Sequence, residues 1–159
     1  MSGRPHSYKL NLKWVGNQGS GTSVYAGYSR NHEYRSGAKP MIAGSSDPAF
    51  RGDPDRWNPE ELLLAAVASC HKLVYLHLCH DHGVNVTAYE DDATGAMVET
   101  TQGGGHFTNV TLHPKVTISA TSDAQKAHAL HHDVSALCFI AQSVNFPIHH
   151  HPVIAKEKP

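Results

Sequence analysis

The sequence predicts a single α+β domain spanning residues 1–159, with antiparallel sheets packed on one long buried central helix. Three observations predict it. Early segments alternate apolar and polar residues with the period of a strand. A capped, breaker-free run from Asn58 to Gly83 has the marks of a long helix. After it, β-branched alternating segments resume, separated by glycine turns. Strands and helices grouped in separate blocks give an α+β arrangement.

Each element follows from local chemistry. Tyr8, Leu10, Leu12 and Trp14 alternate with Lys9, Asn11 and Lys13, which predicts a first strand. The glycine-rich stretch 16–21 turns the chain. Thr22, Val24, Ala26 and Tyr28 alternate again, which predicts a second strand and a hairpin. A short third strand is expected near Lys39 to Ala43, and 45–57 is loop.

Asn58 is a good helix N-cap and Pro59 suits the first helical position. Glu60 and Glu61 complement the positive end of the helix dipole. The run Leu62 to Ala68 is apolar on nearly all sides, so the helix is expected to be buried. Gly83 is the expected stop. A strand from Val84 to about Glu99, with a bulge near Gly95, turns at Gly103 to Gly105 and returns as Phe107 to Ser119. Ser122 or Asp123 should cap a helix to about Val134, and Ser135 a short helix holding Cys138. A last strand lies within 147–155, placed at a sheet edge by Pro152.

Composition excludes several function classes. Thirteen basic against fourteen acidic residues leave a formal net charge of -1, with no basic excess to hold nucleic acid. The apolar run Leu62 to Ala68 is too short to span a bilayer, and the amino terminus has no apolar signal core, so neither membrane nor secretion is expected. Three cysteines without a regular pattern point to a reducing, cytoplasmic setting.

In such a setting cysteines carry chemistry more often than disulfides. Cys70 sits inside the long helix, where a plain core thiol is the competing reading. With Ser135 as N-cap, Cys138 would occupy the third helical position, where backbone N–H groups stabilise a thiolate. Two cysteines 68 positions apart can meet only through the fold, an arrangement that suits a nucleophile and a resolving thiol. Cys79 lies nine residues beyond Cys70 on the opposite helix face and is expected to be structural.

The run Asn58-Pro59-Glu60-Glu61-Leu62-Leu63, then Ala65-Ala66 and Ala68-Ser69-Cys70, resembles the central-helix motif of the OsmC/Ohr peroxidase family. Gly83-Val84, the strand to Tyr89 and the late helix with Cys138 are similar in order and spacing. The resemblance runs from Lys13 onward. It implies an OsmC-like fold, an intertwined homodimer and a peroxidase of organic hydroperoxides or hydrogen peroxide. It further implies Cys70 as peroxidatic thiol, Cys138 as resolving thiol, Glu60 as the site glutamate and Arg30 as the site arginine. Arg35, Arg51 and Arg56 compete with Arg30 and otherwise read as solvated loop charges. No bound cofactor is implied; an external thiol or dithiol, of the lipoyl type in relatives, is the expected reductant. Phe139 stands where a proline is frequent in relatives, and 45–53 is longer than usual, which marks a divergent subgroup.

Each part has a physical reason. Burial in an apolar helix opposes formation of a thiolate. A guanidinium reverses that penalty, because it cannot lose its charge and donates several hydrogen bonds. The glutamate would orient the arginine. Glu60 and Cys70 are ten residues apart, about 15 Å along one helix, so Glu60 is expected to serve a site in a second subunit.

Two other readings use the same residues. His77, Cys79, His80 and His82 could bind zinc with help from His131, His132 and 149–151, although no regular ligand spacing is present. A small-ligand-binding domain would keep Cys70 as an inert core thiol. Gly103 to Gly105 lacks the lysine and helix of a phosphate loop. His71 and Lys72 are expected as ordinary amphipathic helix residues.

Overall fold

In the computed structural model, which describes residues 3–158, the alternation before Trp14 produces β1 (Asn11–Trp14). It pairs antiparallel with β2 (His32–Arg35), setting Trp14 opposite His32 and Leu12 opposite Tyr34. β3 (Ile42–Gly44) completes a three-stranded sheet in the order β1-β2-β3.

The expected second strand over 22–28 does not form. Only Tyr28 bridges back, to Asn17. The reason is local: Asn17 Oδ1 accepts the N–H groups of both Gly19 (2.9 Å) and Gly21 (3.0 Å), and both glycines take positive φ. Side-chain capping of this kind competes with a strand ladder. The strand partner of β1 therefore arises later, at β2. Within the loop before the long helix, Pro48–Phe50 forms one tight 3₁₀ turn, capped by Asp47 accepting from the Ala49 N–H at 2.7 Å.

α1 (Pro59–Asp81) is the predicted helix. Its start is a reciprocal capping box: the Glu61 N–H donates to Asn58 Oδ1 (2.8 Å), and the Asn58 N–H donates to Glu61 Oε2 (3.2 Å). Its end is closed by Gly83 at φ 72, with the Val84 N–H returning to the Cys79 carbonyl at 2.8 Å. The chain divides into two compact units at Leu62/Leu63, so the first turn of α1 belongs with the N-terminal sheet and the rest with residues 63–159.

The expectation that α1 is buried on all sides is corrected. Its buried residues are Val67, His71, Tyr75, Leu78 and Cys79, a stripe along one side. Leu73 remains 62% exposed. By length and composition α1 could cross a membrane. Its buried stripe packs instead into two apolar clusters of the second unit, one around Tyr75, Ile118 and Val134, the other around Val67, Val110 and Leu112.

The two long strands expected after α1 are each broken in two. β4 (Val86–Asp91) and β5 (Thr94–Thr100) lie in different sheets, as do β6 (Gly104–Leu112) and β7 (Pro114–Ile118). His113-Pro114 makes the second break, where proline cannot continue a ladder as donor. The β5–β6 hairpin turns through Gly103 at φ 81, and its irregularity falls at Ala96/Met97 beside the bulge expected at Gly95. α2 (Ala124–Ala129) is capped by Asp123, whose carboxylate accepts from Gln125 and Lys126. A 3₁₀ turn (Leu130–His132) leads into α3 (Val134–Leu137).

The expected last strand is also two, β8 (Ile148–His150) and β9 (Val153–Lys156), parted at Pro152. They run parallel to β6 and β7 and close the edges of sheets ordered β5-β6-β8 and β4-β7-β9. These two sheets are thus each an antiparallel pair with one parallel edge strand.

The capping box gives a direct test. Asn58→Ala removes the Oδ1 acceptor of the Glu61 N–H, keeps the backbone donor to Glu61, and should lower unfolding stability by about 1 kcal/mol, read from urea denaturation.

Candidate functional site

Cys70 and Cys138 meet in the second unit. Both are free thiols. Cys70 is half-buried at the edge of the apolar cluster that encloses Cys138, which is 2% exposed. Burial first, and then hydrogen bonding with Cys70, pushes the Cys138 thiol up to about 11. Cys138 therefore holds its proton near neutrality. Only Cys70 of the two is open to a small molecule.

The expected position of Cys138 is corrected. It is not the third residue of a helix capped by Ser135; Ser135 lies inside α3, and Cys138 is its C-cap in an extended conformation. The dipole argument for a Cys138 thiolate therefore does not hold. Its sulfur instead accepts the Ala141 N–H at 3.4 Å and caps the next turn. Cys79 is 1% exposed, packed beside Tyr75, its thiol raised by burial.

Arg30 and Glu60 belong to the first unit. The Arg30 guanidinium donates to the carbonyls of Tyr28 (2.7 Å) and Tyr25 (3.0 Å) and lies 4.2 and 4.5 Å from the centroids of their rings. It makes no ion pair with Glu60 among the described residues. Glu60 instead bears on Tyr34, whose phenol is raised by burial and then by that negative charge. The competing arginines are engaged elsewhere. Arg35 pairs with Glu33 at 3.0 Å and Arg56 with Asp53 at 3.4 Å, while Arg51 occupies a left-handed loop position at φ 65.

A group the sequence reading missed lies on the same stripe of α1. His71, expected at an amphipathic surface, is buried, and its Nε2 is 2.9 Å from Nδ1 of His131, which is fully buried. Tyr75 stacks on His131 with ring centroids 3.8 Å apart, and His150 lies 5.6 Å from His71 and 6.0 Å from His131. Burial, then neighbouring histidines, lowers His71 to about 4 and His131 to about 3. The sequence signal was there in the spacing Val67, His71, Tyr75, each four residues apart.

The zinc reading finds no support in these positions. His77 pairs with Asp81 at 3.3 Å, His82 Nδ1 bonds the Leu78 carbonyl, and Cys79 is buried away from solvent. Among the described residues no three His, Cys, Asp or Glu side chains converge to hold an ion.

A half-open thiol on a long helix, backed by a sealed second thiol, defines a dithiol domain of mixed α+β fold. The chain belongs to the OsmC-like protein family, whose match covers residues 52–151, well over half its length. An OsmC-like protein of unknown function from Vibrio cholerae is similar at 28% identity and TM-score 0.83, over 94% of this chain and 100% of that one. An organic hydroperoxide resistance protein from Elizabethkingia anophelis superimposes at TM-score 0.67 with 15% identity, over 97% and 100%. Another from Legionella pneumophila does so at 0.66 with 15% identity, over 95% and 99%. At that identity these two show the fold alone. Among curated proteins none matches the chain.

The buried histidines set an acid limit on stability. Both are held below the usual value of about 6.5, so the unfolded chain binds more protons than the folded one below that pH. Their contribution is fully present above about pH 6.5 and is lost as pH falls toward 4 and then 3. His71→Gln should flatten the slope of unfolding free energy in this window by up to about 1.4 kcal/mol per pH unit, measured by urea denaturation at stepped pH.

Proposed function

We propose that this protein is a thiol-dependent peroxidase acting through Cys70 and Cys138, in oxidative-stress defence. The observation that carries the reading is the asymmetry of the two thiols. Cys70 is half-buried and reachable, while Cys138 beside it is sealed, its thiol pushed up by burial. Family membership and the hydroperoxide-resistance relatives support the same reading.

The chemistry balances in three steps. The Cys70 thiolate attacks one peroxide oxygen, the O–O bond breaks, and the leaving alkoxide or hydroxide takes a proton. Cys70 is left as a sulfenic acid. The Cys138 thiol then displaces that hydroxyl as water, forming a disulfide. A dithiol reductant, lipoyl-type or similar, attacks the disulfide and leaves with its own sulfurs oxidised, so both cysteines return to thiols. No resident cofactor enters these steps. Arg30 is proposed to support the thiolate and the peroxide, and Glu60 to steady that arginine, with Glu60 coming from the second subunit of a homodimer. Exposed apolar side chains such as Leu73, Leu137 and Phe139 (62%, 53% and 80% exposed) support a surface that a second copy would cover. The proposed compartment is the reducing cytoplasm.

Peroxide consumption with a dithiol reductant tests the assignment. Cys70→Ser should abolish turnover, about 10³-fold or more. Cys138→Ser should allow one turnover and accumulate sulfenate at Cys70, trapped by dimedone and located by mass spectrometry. Undiminished turnover in Cys70→Ser would sink the reading. Sedimentation at micromolar concentration should give a dimer; a fully active monomer would remove Glu60 from the proposed arrangement.

A further inference from the structure

Within the first unit, a chain of hydrogen bonds ends on the backbone of Arg30. The Arg30 carbonyl can only accept, so His32 Nδ1, 2.8 Å away, carries the proton. In the neutral ring Nε2 is then a lone pair, and it faces the Tyr34 hydroxyl at 2.7 Å. The phenol must therefore be the donor. Burial, and then the negative charge of Glu60, raise the Tyr34 phenol, so it keeps the proton this bond needs.

Packing shows that the arrangement is built in. Gly44 stands opposite His32 in the β2–β3 register. A Cβ at Gly44 would lie 2.4 Å from His32 Nε2 and 2.6 Å from Tyr34 Cε2, so only glycine admits the pair. The two rings meet edge to face, with centroids 4.8 Å apart. The far end of Arg30 is held independently, by the carbonyls and rings of Tyr25 and Tyr28. The arginine is thus fixed at both backbone and guanidinium.

We infer that His32 and Tyr34 are positioning residues for Arg30, holding its backbone through a phenol–imidazole–carbonyl relay. Arg30 and Glu60 make no ion pair among the described residues; the Arg30 backbone is held instead through two side chains that family resemblance did not assign. The inference rests on the reading that Arg30 serves Cys70. It specifies that the arginine acts only when its backbone is held by His32.

The test uses the full-length protein with His32→Leu, His32→Asn, Tyr34→Phe and, for comparison, Arg30→Gln. Asparagine places an N–H where His32 Nδ1 stood and should restore the bond to the Arg30 carbonyl. Readouts are the pH profile of Cys70 alkylation by iodoacetamide, located by mass spectrometry, and kcat and KM for peroxide. His32→Leu and Arg30→Gln should each slow alkylation at pH 7 by about tenfold, with the profile displaced upward by about one pH unit. His32→Asn should stay within about twofold of wild type, and Tyr34→Phe should fall between. A His32→Leu protein less stable but with an unmoved profile, while Arg30→Gln is displaced, overturns the inference and leaves the peroxidase reading standing. Should His32→Leu fail to fold, an unmoved Tyr34→Phe profile overturns it instead. An unmoved Arg30→Gln profile overturns it as well. Absence of peroxide turnover in wild type removes the peroxidase reading, and the alkylation contrast still decides the role of His32.

Discussion

One stripe of α1 organises residues 63–159. Val67, His71, Tyr75 and Leu78 recur every three or four residues and so lie along one side of the helix. Tyr75 is fully buried, donates to the Ala127 carbonyl at 3.1 Å and stacks on His131. His71 bonds the same histidine. Two successive turns of α1 thus grip the segment from α2 through the Leu130–His132 turn. Val134 and Cys138 follow at once along that segment and enter the same cluster. The meeting of Cys70 with Cys138 is therefore a consequence of where Tyr75 and His71 point.

Holding that segment with histidine has an energetic cost. His131 Nε2 and His150 Nδ1 are buried without a hydrogen-bond partner among the described residues. A buried unpaired polar atom costs about 1–3 kcal/mol. The stack on Tyr75 and the His71 hydrogen bond offset part of this, because aromatic pairs contribute about 0.5–1.5 kcal/mol beyond their burial. The arrangement works only with neutral rings, which burial enforces. An apolar pair would pack more cheaply but could not specify orientation by a single hydrogen bond, and orientation of this turn decides where Cys138 falls.

The parts of the fold that were legible in the sequence were those decided within a few residues. Asn58, Pro59 and Glu61 close one end of α1 and Gly83 the other, and each acts on its immediate neighbours. Cys70 was found because the motif around it is local to the same helix. The misplaced elements depend on distant partners. Alternation in 22–28 is as good as in β1, but Asn17 captures the backbone first. The strand after α1 reads as continuous, yet its halves pair with different partners, β7 and β6. Cys138 was placed in the right neighbourhood at the wrong end of its helix, because Ser135 is as good a cap in sequence as it is absent from that role in the fold. The relay from Tyr34 to Arg30 was not legible at all, since it depends on the space Gly44 leaves across a sheet register.

Burial alone does not set one cysteine apart from another, and this chain contains the internal comparison. Cys79 and Cys138 are equally sealed, at 1% and 2% exposure, and burial raises both thiols. Cys79 has Tyr75 beside it, a neighbour that can exchange a hydrogen bond but cannot form a bond to sulfur. Cys138 has Cys70. A thiol kept protonated is a poor nucleophile toward peroxide. Cys70 and Cys138 differ in burial, and no helix dipole is needed to tell the two apart. What separates the structural cysteine from the paired one is the identity of the atom each sulfur faces.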